Sequence, residues 1–176
     1  MNPTYKKLLH PAFCSAFFAL LPVITAAGDA PTPLIDKVRN ATAQYIDINK
    51  ARLDKFVVGT PCVSGPDAGA MGVHLVRPDR IGTLVLDATQ PQALIYEPMA
   101  DGAMRLVGVE YIILAQNWAD PSSPPALDGN LFNYIDAPNR YGLPAFYEIH
   151  VWAWEDNPKG SYADCNTRVT CAHQPL

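Results

Sequence analysis

The sequence predicts an α+β domain in which an N-terminal helical segment packs on a curled antiparallel β-sheet, forming a partial barrel or a sandwich. Apolar residues recur at helical spacing after Pro33, whereas later segments alternate between polar and apolar residues as strands do. The four strands expected to form the core are residues 71–77, 93–98, 104–115 and 145–154. With 176 residues, of which 17% are charged, the chain has the size and composition of one globular domain.

The charge of the chain limits its expected partners. The formal net charge is −4, and the basic residues are not clustered in the sequence. Binding to nucleic acid or to an anionic membrane surface depends on concentrated positive charge. We therefore expect neither partner.

Residues 1–27 have the features of a secretory signal peptide. Lys6 and Lys7 precede a mostly apolar run, and Ala27 ends a stretch of small residues suited to cleavage. Prolines interrupt the apolar run, which is short for a membrane span. We expect a mature chain that begins at Gly28, has no membrane-spanning segment, and is exported to the periplasm or secreted.

The mature chain is expected to begin with a short mobile leader, residues 28–33, followed by a helical region, residues 34–57. Pro33 suits the first turn of a helix, and Asp47 is placed to cap a second helix. One helical face carries the apolar residues Leu34, Val38, Ala41, Tyr45 and Ile48. This face predicts that the helical region packs on the sheet.

Cleavage after Ala27 would remove Cys14 and leave Cys62, Cys165 and Cys171. Exported proteins commonly contain disulfides, so we expect one bridge and one free thiol. Three pairings are open, and the one we favour is Cys62–Cys171, which would tie the end of the chain to the first loop of the core. Cys165 would then be a small buried residue rather than a nucleophile.

The β-rich region covers residues 59–176. Four glycines and two prolines predict a loop over residues 59–72, and residues 81–86 are a further candidate strand. Residues 118–140 are rich in Pro, Asp and Asn and predict a long loop with one short strand at residues 131–135. We expect this loop to cover the edge of the sheet; the alternative is a lid over a cavity.

Asp101 and Gly102 predict a two-residue hairpin loop between two core strands. A loop of that length would place Glu97 opposite Leu106 and would put Glu110 on the same face. That face of the second strand reads Met104, Leu106, Gly108, Glu110, Ile112 and Leu114. A carboxylate among apolar side chains is costly unless it is paired or binds a metal.

The last core strand places a histidine between aromatic residues. Its alternation assigns one set of side chains to one face: Phe146, Glu148, His150, Trp152 and Trp154. The opposite face receives Tyr147, Ile149, Val151 and Ala153. The polar face of this strand is the principal candidate for chemistry.

His74, Glu110 and His150 each lie inside a predicted strand and are the candidate metal ligands. Neutral imidazoles and a carboxylate oxygen suit zinc, iron or manganese, with further coordination positions open to water or substrate. The three residues are scattered singly, without an HxH or HExxH motif. The favoured alternative is a buried His–Glu hydrogen-bond network with a structural role.

Three other sites have less support. Methionine and histidine suit copper, and the candidates are Met71, His74, Met99 and Met104. Paired carboxylates suit glycoside hydrolysis, and the candidates are Glu97, Glu110 and Glu148. Aromatic side chains line sugar or apolar pockets, and the candidates are Tyr96, Tyr111, Trp118, Tyr141, Trp152 and Trp154.

The mature chain contains five motifs: ATAQYIDINKARLDKFV, MGVHLV, ALIYEP, LVGVEY and HVWAWEDNPKG, followed by a terminal cysteine. Together they resemble a family of exported bacterial proteins of unknown activity, over nearly all of the mature chain. The resemblance implies no activity, substrate or cofactor, and this sequence departs from the family pattern at Cys165 and at Asn166-Thr167. Histidine and glutamate on successive strands are also similar to cupins, but the cupin motifs are absent, so that likeness is one of fold.

The sequence thus supports two functions. The favoured one is a non-catalytic binding or envelope-associated protein in which His74, Glu110 and His150 are structural. The alternative is a cupin-like metal-binding protein or metalloenzyme that uses the same three residues. The sequence assigns no catalytic residue and leaves open whether the chain is an enzyme.

Overall fold

The computed structural model of the chain describes residues 33–65 and 69–174. The predicted signal peptide, Cys14 and residues 28–32 of the predicted leader lie outside the described residues. In the described part, helices come first and a curled antiparallel sheet follows, so the predicted α+β class is confirmed. None of the described helices has both the length and the apolar character needed to cross a membrane.

The helical region begins where the sequence predicts and ends earlier. It consists of helix α1 at Pro33–Thr42, a 3-10 turn at Ala43–Ile46 and helix α2 at Ile48–Leu53. Pro33 is the first residue of α1, and the Asp47 side chain caps α2 by accepting a 2.9 Å hydrogen bond from the Asn49 N–H. Lys55 takes a left-handed conformation, with φ 65, and the chain leaves the helix there rather than at residue 57.

Eight strands follow in the described residues. They are Val57–Gly65 (β1), Gly69–Val76 (β2), Ala93–Pro98 (β3), Met104–Leu114 (β4), Ala126–Leu127 (β5), Asn130–Leu131 (β6), Asn133–Ile135 (β7) and Phe146–Val151 (β8). Six of them form one antiparallel sheet in the order β1-β2-β3-β4-β8-β7, and β5 pairs separately with β6. The four predicted core strands correspond to β2, β3, β4 and β8, which are adjacent at the centre of the sheet.

The segment predicted as a loop, residues 59–72, instead contains most of β1 and the start of β2. β1 is an edge strand whose pairing with β2 shifts register at three places between Val58 and Ser64. It also contains Pro61, which an edge strand tolerates because its missing N–H need not pair. β1 is irregular and mostly exposed, so it lacks the alternating pattern that predicts a strand.

The candidate strand at residues 81–86 is also wrong. Turn hydrogen bonds run from the Arg80 N–H to the Arg77 carbonyl and from the Thr83 N–H to the Arg80 carbonyl. Gly82 has a φ of 88, which breaks extended backbone. Leu84 and Val85 are exposed, so the apolar residues that suggested a strand have no sheet to pack on.

The main core lies between the helical region and one face of the sheet. It contains Leu34, Val38 and Tyr45 from the predicted helical face, together with Leu94, Tyr96, Tyr111, Ile113, Tyr147, Ile149 and Val151 from the strands. Polar contacts join the two layers: Tyr96 donates its hydroxyl to the Tyr45 carbonyl at 2.6 Å, and Trp154 Nε1 donates to Thr42 Oγ1 at 3.0 Å. The buried polar side chains of the central strands lie on the sheet face opposite the helices.

The side chains of β8 alternate between the two faces of the sheet as predicted, up to the end of the strand. Tyr147, Ile149 and Val151 belong to the main core, as expected. Trp154 was predicted on the opposite face, but β8 ends at Val151 and Trp154 packs against the main core.

The β3–β4 hairpin has a three-residue loop rather than the predicted two-residue loop. The Met99 N–H donates to the Ala103 carbonyl, and the Gly102 N–H donates to the Met99 carbonyl. Gly102 has a positive φ of 82, as the last residue of such a loop requires. Glu97 therefore pairs with Arg105 and not with Leu106.

A bulge in β4 then reverses this one-residue shift. Tyr96 pairs with Leu106 and Ile95 with Gly108, so Val107 has no partner on β3. A Cβ on Gly108 would lie 2.8 Å from the Val151 carbonyl oxygen, which requires glycine next to the bulge. Before the bulge, Met104 and Leu106 pack on the main core, so the prediction that they share a face with Glu110 is wrong.

Residues 118–140 contain the β5–β6 hairpin and β7. β7 pairs with β8 at the edge of the sheet, consistent with the expected short strand and with edge coverage. The hairpin turns at Asp128 and Gly129, both with positive φ, as a two-residue loop of type I′ requires. The favoured role of edge coverage thus fits better than a lid.

The expected Cys62–Cys171 disulfide is present, with Cα atoms 5.6 Å apart and 109 residues of separation. Cys165 is a half-buried free thiol. The bridge joins edge strand β1 to the C-terminal segment. That segment is also held by Asn166, whose N–H and carbonyl pair with Ala70.

We predict that replacing both bridge residues, C62S/C171S, lowers the free energy of unfolding by about 4–5 kcal/mol, because a loop of roughly 100 residues is no longer closed in the unfolded chain. Urea denaturation of both proteins measures this loss. C165S is the matched control and is expected to unfold like the wild type. An unchanged midpoint for the double variant would show that the bridge does not stabilise the domain.

Candidate metal centre

The sheet brings His74, Glu110 and His150 together on the face opposite the helices. Glu110 on β4 and His150 on β8 are direct cross-strand partners. His74 on β2 reaches them across β3, because the sheet is curled. All three are buried, with exposed fractions of 3%, 7% and 1% respectively.

The donor atoms of these residues converge on one point. His74 Nε2 lies 3.5 Å from His150 Nε2 and 3.5 Å from Glu110 Oε2. One ligand atom from each residue lies within 4.8 Å of the others. Ligands about 2.0–2.2 Å from a tetrahedral zinc ion stand roughly 3.3–3.6 Å apart, so the two distances from His74 match the spacing of a metal site.

His150 has a carboxylate on its other side. Its Nδ1 lies 2.7 Å from Glu148 Oε2, two residues earlier on the same face of β8. Asn133 of β7 donates its Nδ2 to Glu148 at 3.2 Å and to Asp164 at 3.1 Å. A carboxylate on the second nitrogen is the usual partner of a metal-binding histidine, because it fixes the tautomer and the ring orientation.

His74 is oriented by a hydroxyl group. Thr60 Oγ1 of β1 lies 3.0 Å from His74 Nδ1. Both imidazoles therefore use Nδ1 for a fixed neighbour and turn Nε2 toward the shared point. The ring of His150 also stacks on Trp152, with centroids 6.2 Å apart.

A second group of possible ligands overlaps the first. Glu148, His150 and Asp164 also place one ligand atom each within 4.8 Å of one another. Asn133 joins the two carboxyl groups of this group by hydrogen bonds. We assign it the supporting role, because His150 faces it with the Nδ1 that Glu148 already occupies.

A cavity of about 210 Å³ adjoins His74 and Glu110. Its other walls are Gly59, Thr60, Met71, Val76, Ile81, Ile112, Tyr141, Leu143 and Phe146. The cavity gives the donor atoms a path to solvent and space for a further ligand, as an open metal site needs.

The surroundings of the two histidines shift their pKa values in opposite directions. Burial, followed by the charge of His150, lowers the pKa of His74 from 6.5 to about 3. Burial, the largest single cause, would also lower the pKa of His150, but the Glu148, Glu110 and Asp164 carboxylates together outweigh it and raise that pKa to about 9. Without a metal, His74 is thus neutral and His150 carries a proton that Glu148 stabilises.

Glu110 is the residue of the cluster whose ionised form is disfavoured. Burial raises its pKa to about 8, and the Glu148 and Asp164 carboxylates add to the effect, although the charge of His150 opposes it. Burial also raises the pKa of Tyr141 to about 12, and the charge of Glu110 contributes. A divalent cation would favour the ionised form of Glu110 and the neutral form of His150, which are the forms that bind metals.

The remaining predicted site residues lie elsewhere. Glu97 is buried but accepts the Thr170 N–H at 2.9 Å and pairs with Arg105 at 2.5 Å, so it is structural. Met71 lines the cavity beside His74, whereas Met104 packs against the main core. These contacts do not support the copper or glycosidase alternatives.

The aromatic candidates divide in a similar way. Tyr96 and Tyr111 are core residues whose hydroxyls donate to backbone carbonyls. Trp152 belongs to a second small core on the polar face, with Ile95 and Val107. Tyr141 is the one aromatic candidate that lines the cavity.

Several functional residues were missed by sequence reasoning. They are Thr60, Asn133 and Asp164. All three come from irregular segments or edge strands, where no periodicity marks the direction of a side chain.

We predict that the metal-free protein loses stability as the pH rises from 6.5 to 8. The folded pKa of His150 lies above its ordinary value of 6.5, so its contribution is complete below that pH and is lost as the pH rises through about 9. Glu110, raised from 4.5 to about 8, acts in the same direction, because the unfolded chain ionises first. Urea denaturation in the presence of a chelator measures the trend.

The matched control for this pH dependence is E110Q, whose amide cannot ionise. Its stability should fall less steeply over the same range. A wild-type stability that is constant or rises from pH 6.5 to 8 would contradict these protonation states.

Comparisons of the chain with models of known families, with curated proteins and with solved structures found no match. The resemblance to exported bacterial proteins therefore stays a prediction.

Proposed function

We propose that this protein binds one divalent transition-metal ion through His74, Glu110 and His150. The observation that carries the proposal is the convergence of two Nε2 atoms and a carboxylate oxygen, each histidine having a polar neighbour at its Nδ1. Each imidazole has its Nδ1 beside a polar side chain and its Nε2 toward the other members of the cluster, which is the arrangement that metal-binding histidines adopt.

The ligand types define the class of metal. Two imidazoles and one carboxylate suit zinc, iron or manganese, and the small number of protein ligands leaves coordination positions open. The adjoining cavity gives these positions access to a small molecule. We therefore infer an open site of the catalytic type, in which a bound metal acts as a Lewis acid.

The protein is also proposed to be exported. The Cys62–Cys171 disulfide suits an oxidising compartment, in agreement with the signal peptide expected at residues 1–27. In the periplasm or outside the cell, the metal would be acquired after export or during folding.

The competing function is a non-catalytic binding or envelope-associated protein. It is favoured by one observation: Glu148, His150, His74 and Thr60 form a continuous chain of contacts without any metal. In that case the buried cluster only stabilises the sheet, and no metal is bound.

Titration of chelator-treated protein with Co²⁺, followed by visible absorption and by metal analysis, tests the metal proposal. We expect one equivalent to bind, with the absorption of a four- or five-coordinate site. H74A and E110Q should each lose binding by at least about 100-fold, since each removes a ligand. H173A is the matched control, because His173 is exposed and far along the chain from the cluster.

A variant of Glu148, which lies beside His150 Nδ1, tests the metal site independently. E148Q should weaken Co²⁺ binding by about 10–100-fold without abolishing it, because it changes only the orientation and basicity of His150. A wild-type protein that binds no Co²⁺, while H150A loses only stability, would favour the structural function instead.

Export predicts a defined N-terminus. Expression of the full chain in a bacterial host should give a periplasmic protein whose mass corresponds to a start at Gly28. A mature protein that retains Lys6 and Lys7 would show that residues 1–27 are not cleaved.

A further inference from the structure

We propose that the cavity beside the metal centre binds a small uncharged aromatic molecule with one hydroxyl group, that is, a monocyclic phenol. The ring would occupy the apolar part of the cavity, and the hydroxyl oxygen would face the metal centre. This inference rests on the proposed function for the orientation of the ligand, whereas the ring site itself follows from the cavity.

The size of the cavity sets the size of the ligand. Its volume is about 210 Å³. An apolar cavity of about 150 Å³ is known to hold benzene, so this one has space for a benzene ring with one or two small substituents. Ligands with two fused rings would have to extend into solvent.

The walls suit an aromatic ring. Aliphatic carbon comes from Val76, Ile81, Ile112 and Leu143. Tyr141 and Phe146 stand edge to face, with ring centroids 5.9 Å apart, and the Met71 sulfur lies 3.5 Å from the Tyr141 hydroxyl. Rings and thioether sulfur both make favourable contacts with a further aromatic ring.

The polar groups of the cavity suit a hydroxyl rather than an anion. Among the described residues that line it, none is lysine or arginine, and the only acidic one is Glu110. A carboxylate or phosphate would therefore be desolvated without a cationic side chain to pair with. A hydroxyl can hydrogen-bond to the Thr60 or Tyr141 hydroxyl and also reach the metal ligands.

The loop that supplies Tyr141 and Leu143 is held in place before any ligand binds. Asn139 Oδ1 accepts the N–H groups of both residues, at 3.2 and 3.3 Å. Arg140 donates to the Ser64 carbonyl of β1, the strand that also supplies Thr60 to the cavity. A preformed wall reduces the ordering cost of binding a small ligand.

Calorimetric titration with 4-methylphenol tests the inference, on both Co²⁺-loaded and chelator-treated protein. We expect the phenol to bind both forms, and to bind the Co²⁺-loaded form at least about tenfold more tightly, which the metal contact would add. Toluene should show no such difference, since it lacks the oxygen. 4-Methylbenzoate, an anion of similar size, should bind either form at least about tenfold more weakly than the phenol.

A variant that fills the cavity supplies the second measurement. L143W replaces a half-buried loop residue by a larger one and should weaken 4-methylphenol binding at least about tenfold, while Co²⁺ binding stays within about twofold. L131W is the matched control, because Leu131 is 65% exposed and does not line the cavity. Should L143W fail to fold, the ligand series on the wild type decides the question alone.

The outcomes separate this inference from the metal proposal. Co²⁺ binding without detectable binding of 4-methylphenol would overturn the ring site and leave the metal centre. Binding of 4-methylphenol that L143W weakens, in a protein that binds no Co²⁺, would support the ring site and overturn the metal centre. Tighter binding of 4-methylbenzoate would overturn the assignment to an uncharged ligand.

Discussion

The pairing of Glu110 with His150 across β4 and β8 is the constraint on which the buried site depends. Side chains alternate along a strand, so this one register decides which side chains face the helices and which face the candidate metal centre. It places Glu148, two residues before His150, on the same face and within reach of the ring. A slip of one residue would move His150 into the main core and would expose apolar side chains to the cavity.

The two faces of the central strands affect the stability of the domain in opposite ways. One face gains stability from apolar burial against the helices, and it accepts polar groups such as Tyr96 only where a backbone partner is close. The other face buries ionisable groups, whose desolvation opposes folding. That cost is reduced by pairing His150 with Glu148 and by keeping His74 neutral. Burial still disfavours the ionised form of Glu110, and a bound cation would offset that cost.

Much of the fold could be predicted from the sequence, because regular elements carry periodic patterns. The face of the first helix, the Asp47 cap and strand Ala93–Pro98 all followed from spacing. The candidate ligands were found because His74, Glu110 and His150 each interrupt an apolar strand. Their convergence could not be predicted, because it depends on the curl of the sheet. Edge strand β1 and the loop residues of the site gave no periodic pattern.

The bulge at Val107 has a consequence for how the sequence can vary. The three-residue hairpin loop advances the register by one, and the bulge returns it before Glu110 is reached. Val107 is the extra residue that has no partner on β3, so Glu110 can stay opposite Ala93 whether the loop and the strand are longer or shorter by one residue at these two places. Length differences among natural variants should therefore fall at the hairpin loop and at the bulge, and not between Gly108 and Leu114, where one residue more or less would turn Glu110 away from His150.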